Sequence, residues 1–194
     1  MQKNICFIDF ETTGADLYSD HPIQLGAVLI SGPQPIILKE FSSFIKPPEN
    51  AKISRTAFKV HKIHIGDLSD APAPDEVLKT FFEQMGFDYS FGGWNINFDV
   101  SFFRRMCYEH GYQEHFQKIS HRHIDVQSIA RALVDAGIFS DHIDSLSSLC
   151  EALRIKRSEK HSALEDARIV AKVYIHLVNA LGQMSANMKI ANIY

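Results

Sequence analysis

The sequence predicts one α/β domain, a mixed five-stranded sheet with helices on both faces, and three observations carry that expectation. Asn4 to Phe10 is apolar on both sides of the strand, as a central strand covered by two layers must be. Two more strand-like runs, Ile23 to Ile30 and Ile36 to Ile45, form a hairpin-like group around the turn signal Ser31-Gly32-Pro33. Later strands, Tyr89 to Trp94 and His121 to Val126, alternate with helical patterns, which is the order of an α/β chain.

The helices follow in sequence. A basic, irregular stretch from Lys46 to Ala73 carries a short helix near Ile53 to Val60. A clearer one spans Pro74 to Met85 and stops at Gly86, since proline suits the first turn and glycine the end. The next runs from Phe98 to His110 and closes at Gly111; another follows the fifth strand through Leu133. The last two lie near Ser145 to Leu153 and Ala163 to Leu181. Residues 1–182 thus read as one domain and 183–194 as a tail. A chain of 194 residues, 45% hydrophobic, suits a single core.

The net charge of −3 lacks the global basic signature of many nucleic-acid binders. It does not exclude that partner, because a site rich in acids lowers the total while local basic patches hold phosphates. Cys6, Cys107 and Cys150 are odd in number, far apart and set among apolar residues, so they read as buried thiols in a reducing compartment. Neither a secretion-like start nor an apolar run of spanning length is visible, and a cytoplasmic protein without a membrane partner is expected.

Four acids stand where the pattern calls for apolar side chains. Ile5, Phe7, Asp9 and Glu11 share one face of the first strand, because side chains alternate along a strand. Asp99 lies on the stripe of Phe102, Phe103 and Met106, and Asp166 on that of Val170, Val173 and Leu177. Each helix therefore offers one carboxylate at the start of its inward face. Alone, Asp99 would suit the helix dipole and Asp166 a lysine partner. Together with the strand pair, four buried carboxylates repel one another and need protons or cations. Oxygen-only ligands favour Mg²⁺ or Mn²⁺ over zinc.

The neighbours fit such a site. Thr12-Thr13-Gly14 follows the strand acids at the carboxyl end, where α/β sheets bind ligands; Gly14 is expected to permit a tight turn there, with backbone N–H groups free to meet a nucleotide. His161 precedes Asp166 by five residues in a basic loop, with Arg154, Lys156, Arg157 and Lys160, and histidine is the side chain suited to accept a proton near neutral pH. A second basic stretch interleaves Lys46, Lys52, Arg55, Lys59 and Lys62 with Phe58, Val60, His61 and Ile63, a pattern that suits stacking on unpaired bases.

Three segments carry a family resemblance: Phe7 to Gly14, Asn95 to Asp99, and His161 to Ala167. Their order, spacing and setting resemble the exonuclease motifs of the DEDDh (DnaQ-like) 3′→5′ exonucleases, over roughly residues 3–181. The family includes the proofreading epsilon subunit of bacterial DNA polymerase III and stand-alone relatives. Gln24 to Val28, Ala57 to His61 and Ser145 to Cys150 also match. The resemblance implies a ribonuclease H-like fold and two ions, Mg²⁺ or Mn²⁺, held by Asp9, Glu11, Asp99 and Asp166. It implies His161 as general base, with Thr12, Thr13, Val60, His61 and Phe98 facing the terminal nucleotides. The implied reaction is hydrolysis of terminal phosphodiesters of DNA, at single-stranded or frayed 3′ ends, to nucleoside 5′-monophosphates, in proofreading or repair. An exoribonuclease trimming RNA 3′ ends and a non-catalytic end-binding subunit are the alternatives.

A polymerase or a sliding clamp are further candidate partners, although residues 183–194 leave little room for a binding extension and Gln183-Met184-Ser185 resembles a clamp-binding peptide only near chance. Two positions depart from the family pattern: Trp94 stands where many members have histidine, and Lys62 where glycine commonly follows the Val-His pair. Asp125 and Glu165 lie near the motifs but fit no ligand position, and His121 with His123 suggests no zinc site.

Overall fold

A computed structural model describes residues 4–32, 35–139, 143–157 and 162–191, with side chains through residue 183. Five strands, β1 (Asn4–Thr12), β2 (Pro22–Ile30), β3 (Ile37–Phe44), β4 (Tyr89–Gly93) and β5 (Ser120–Asp125), form one sheet in the order β3-β2-β1-β4-β5. β1 pairs antiparallel with β2 and parallel with β4; β2 and β3 are antiparallel, β4 and β5 parallel. The sheet is mixed, as the order of the sequence elements predicts. Seven α-helices accompany it among the described residues: α1 (Arg55–His61), α2 (Pro74–Met85), α3 (Ile96–Glu109), α4 (Gln113–Lys118), α5 (Val126–Asp135), α6 (Leu146–Ala152) and α7 (Ala163–Ala191). None of the described helices is long and apolar enough to cross a membrane.

The alternation of β1 decides what each layer contacts. Cys6, Ile8 and Phe10 pack with α2 and α3 around Phe81, Phe91, Phe102 and Phe103. Ile5 and Phe7 pack on the other face with α5, α6 and α7, against Leu149, Val170 and Val173. Both faces of the central strand are thus dry until Asp9. The aromatic cluster interlocks edge to face, for example Phe81 with Phe103 at 5.0 Å between centroids and Phe91 with Phe103 at 5.1 Å, the arrangement ring quadrupoles favour.

Where elements differ from expectation the causes are local. α3 begins two residues early, at Ile96, because Asn95 turns the chain in the left-handed region at φ 56°. α4 and a short 3-10 helix, Ile65–Leu68, carry too few buried residues to show periodicity. α7 continues ten residues beyond Leu181, through part of the expected tail. Pro33 of the β2–β3 turn signal, Lys160 and His161 lie outside the described residues.

Candidate active site

β1 ends in the sequence Asp9-Phe10-Glu11-Thr12, and its two acids point to the face covered by α7. Two features of β2 bring the start of α7 down onto them. Gly26 pairs with Asp9, and a Cβ at Gly26 would overlap the backbone of Ala163 and Leu164. Gln24 pairs with Glu11, and its Oε1 accepts from the Ala163 N–H at 3.1 Å, satisfying one orphan donor of the helix start. One turn further, Asp166 reaches the strand acids. Ligand oxygens of Asp9, Glu11 and Asp166 all lie within 4.8 Å of one another.

Asp99 arrives from the opposite layer. The β1–β4 ladder stops at Phe7 and Gly92, and past it the Phe10 N–H donates to Asp99 Oδ1 at 2.9 Å. The carboxylate takes the place of a missing strand and so borders Asp9. Among the described residues, then, the structure brings together all four acids singled out by pattern, three in a tight group and Asp99 at its edge.

Their electrostatics are those of crowded anions. Burial first, then the charges of Asp99, Glu11 and Asp166, push the Asp9 carboxyl well above the usual range. Burial first, then Asp166, pushes Glu11 up to about 7, with Arg157 opposing. Burial pushes Asp99 up to about 8 against the lowering effect of the Phe10 N–H. Among the described residues the cation against the group is Arg157, whose Nη2 donates to Asp166 Oδ1 at 2.7 Å and whose Nη1 donates to Ser147 Oγ at 2.8 Å. A hard divalent cation fits this donor set: oxygen ligands only, mutually repelling, with a guanidinium already drawn to them.

Beside Glu11 opens a cavity of about 270 Å³, bordered by Phe10, Thr12, Ala57, Val60, His61 and Phe98. Thr12, Val60, His61 and Phe98 therefore meet beside the acids. His61 is buried; its Nδ1 accepts from the Ile63 N–H at 2.9 Å, so Nε2 carries the proton. That Nε2–H is near the Thr12 carbonyl yet lacks a well-formed hydrogen bond. Burial holds the His61 pKa below the ordinary value. Lys62 sits at φ 60° and ψ 17°, the left-handed conformation glycine would take freely.

Two expectations are corrected. Thr13 does not line the cavity: it is buried, its hydroxyl donates to Asp20 Oδ1 and accepts from the His21 N–H, and its own N–H donates to the His21 carbonyl. It holds the turn and has no group left over for a nucleotide. Gly14 is required by space, not by turn conformation, because a side chain there would collide with the Asp20 carboxylate. His161 lies outside the described residues. Nothing local in the sequence marks Gln24 and Gly26 as seating α7, because their contacts to Ala163 and Leu164 span large sequence separations.

An α/β sheet of this order, with an acidic group at the end of its central strand, is a ribonuclease H-like arrangement. Comparison with known proteins agrees: the sequence model of the exonuclease (RNase T) family matches residues 6–174, and the chain belongs to that family. A PolC-type DNA polymerase III of Thermotoga maritima is 32% identical over 181 residues, 90% of this chain but 12% of its own length. The epsilon subunit of DNA polymerase III from Buchnera aphidicola is 30% identical, over 98% of this chain and 81% of that protein. Exonuclease I of E. coli, solved with a dA16 oligonucleotide, superposes with a TM-score of 0.77 at 19% identity, covering 92% of this chain and 41% of that one. Exonuclease I of Methylocaldum szegediense gives 0.75 at 20% identity, covering 88% and 39%. At such identities the two structures speak to the fold alone.

Proposed function

We propose that the chain is a 3′→5′ exonuclease that removes nucleotides singly from DNA, at single-stranded or frayed ends, releasing nucleoside 5′-monophosphates. The observation that carries this reading is the convergence of Asp9, Glu11 and Asp166 within 4.8 Å, bordered by Asp99 and opening onto a cavity beside Glu11. Asp9, Glu11, Asp99 and Asp166 would hold two ions, Mg²⁺ or Mn²⁺. When bound, those ions supply positive charge to the attacking and leaving oxygens of the phosphodiester.

The chain's own groups divide the remaining work. Asp166, paired with Arg157 at 2.7 Å, would turn that oxygen to the ions. Glu11 and Asp99, with pKa values raised to about 7 and 8, would hold the ions as carboxylates once deprotonated. Thr12, Val60, His61 and Phe98 receive the terminal nucleoside: Phe98 and Val60 give apolar contact, and the unpartnered His61 Nε2–H gives a donor. His161 takes the proton of the attacking water, a role that rests on its place in the sequence motif. Exposed Lys52, Arg55, Lys59 and Lys62 lie on or beside α1 and suit the phosphates of the upstream strand.

The similarity to epsilon and PolC-type proteins supports a DNA substrate, a polymerase partner and a place in proofreading or repair. The buried free thiols of Cys6, Cys107 and Cys150 support a reducing, cytoplasmic setting. Digestion of 5′-labelled DNA and RNA of one sequence, with Mg²⁺, Mn²⁺ or EDTA, tests the reading. A ladder shortening from the 3′ end of DNA, absent in EDTA, is expected. Faster digestion of RNA, or cleavage undiminished by EDTA, overturns it.

A further inference from the structure

We infer that Asp125 is a positioning residue for the metal site, acting through the backbone of Asn95 and so on Asp99. The inference rests on the reading of Asp99 as a metal ligand. Asp125 ends β5 and pairs with Gly93, the last residue of β4. Its Oδ1 accepts from the Asn95 N–H at 2.9 Å, while its other oxygen accepts from the Ser128 hydroxyl. Both carboxylate oxygens are thus aimed and held.

What they hold is the left-handed corner that opens α3. Asn95 adopts φ 56° and ψ 48°, in the left-handed region that asparagine tolerates better than most side-chain-bearing residues and glycine takes freely. Its side chain makes no cap to α3, but its carbonyl accepts from the Phe98 N–H at 3.0 Å. The corner is therefore fixed from outside, by Asp125, and it sets where α3 starts. Four residues on, Asp99 must meet the Phe10 N–H and Phe98 must border the cavity. A swing at Asn95 moves both. Asp125 is not one of the grouped carboxylates Asp9, Glu11 and Asp166, and its contact toward α3 is to the Asn95 backbone, so its effect on cation binding passes through that backbone.

Mn²⁺ titration calorimetry without substrate, paired with kcat and KM on a DNA oligonucleotide, tests this. Asp125→Ala is expected to weaken Mn²⁺ binding and lower kcat by about 10–100-fold, as loss of a group orienting a ligand does, with KM changed less. Asp125→Asn keeps an acceptor for Asn95 and should stay within about threefold of wild type, given the modest net worth of one hydrogen bond. Asn95→Gly, which takes the left-handed region without help, should recover part of the Asp125→Ala loss. Asp125→Asn as impaired as Asp125→Ala would show that the charge matters and not the corner, and overturns the inference. So does Mn²⁺ affinity unmoved in Asp125→Ala. Should Asp125→Ala not fold, the double variant with Asn95→Gly decides: Mn²⁺ affinity near wild type supports the corner, and a folded protein without it overturns it. Because the calorimetry needs no turnover, a wild-type chain that binds Mn²⁺ but digests no DNA refutes the exonuclease reading without touching this one.

Discussion

The guanidinium of Arg157 lies 2.7 Å from Asp166 Oδ1, in contact with the acid that closes the tight group. A charge in that position offsets repulsion that no water-exposed solvent shell can relieve, and it competes with a cation for the same oxygen. Arg157→Met should lower the melting temperature of EDTA-treated protein at pH 8 by a few degrees, the shift about 1 kcal/mol gives a chain of this size, and should tighten Mn²⁺ binding. Equal melting temperatures and equal affinity would remove Arg157 from this role. Asp9 responds in the opposite sense. Its carboxyl is pushed up by burial and three neighbouring acids, so its charge is a cost to the metal-free fold. Asp9→Asn should raise the metal-free melting temperature at pH 8 while abolishing nuclease activity; a variant that loses both would make Asp9 a structural residue. His161→Ala should keep metal binding and slow turnover by about 10²–10⁴-fold, the usual worth of a general base. Full activity across neutral pH would exclude it. Periodicity makes the four acids legible because a carboxylate on an apolar stripe violates the burial rule wherever it stands. Thr13 shows the limit: a hydroxyl's direction depends on Asp20 and His21, which the alternation of β1 does not encode.

Between elements, the decisive contact is that of α7 on β2. It depends on an absence, the missing Cβ of Gly26, and on one donated hydrogen bond, Ala163 N–H to Gln24 Oε1. Gly26→Ala forces α7 off the strand and carries Asp166 away from Asp9. We expect a stability loss of about 1–3 kcal/mol, as for other overpacked sites, together with weakened Mn²⁺ binding. Thermal melts and calorimetry check both, and a stable Gly26→Ala with wild-type Mn²⁺ affinity would show that α7 is positioned by other means. The sequence separation of 139 residues between Gln24 and Ala163 explains why neither partner betrays the contact locally. α2, by contrast, was legible end to end: Pro74 opens it, Glu76 caps the Ala73 N–H, Val77, Leu78, Phe81 and Phe82 give the stripe, and Gly86 closes it at φ 72°. α4 was not, because none of its residues is buried and nothing periodic marks it. The left-handed corner at Asn95 was missed for a related reason: the group that stabilises it, Asp125, comes thirty residues later.

Taken as a whole, the molecule places its anions where folding alone disfavours them and leaves binding to repay the cost. The carboxyls of Asp9, Glu11 and Asp99 all titrate higher in the folded chain than in an open one, Glu11 at about 7 and Asp99 at about 8. Below about pH 4 both states keep these protons, and the groups contribute nothing to pH dependence. From there up to about pH 8, the unfolded chain has released protons that the folded chain retains. More protons on the folded state means that stability falls as pH rises. Once the folded carboxyls have also ionised, the loss levels off. A bound divalent cation takes the place of those protons and removes the slope. The EDTA-treated protein should therefore melt at least ~5 °C lower at pH 8 than at pH 5.5, a shift of roughly 2 kcal/mol for a chain of this length. Millimolar Mn²⁺ should restore most of the difference, acting strongly at pH 8 and weakly at pH 5.5. Melting curves across that range, with and without Mn²⁺, read the effect directly. A metal-free protein whose stability rises from pH 5.5 to 8 would mean that the acids are paired within the chain, and that the site is complete without a cation.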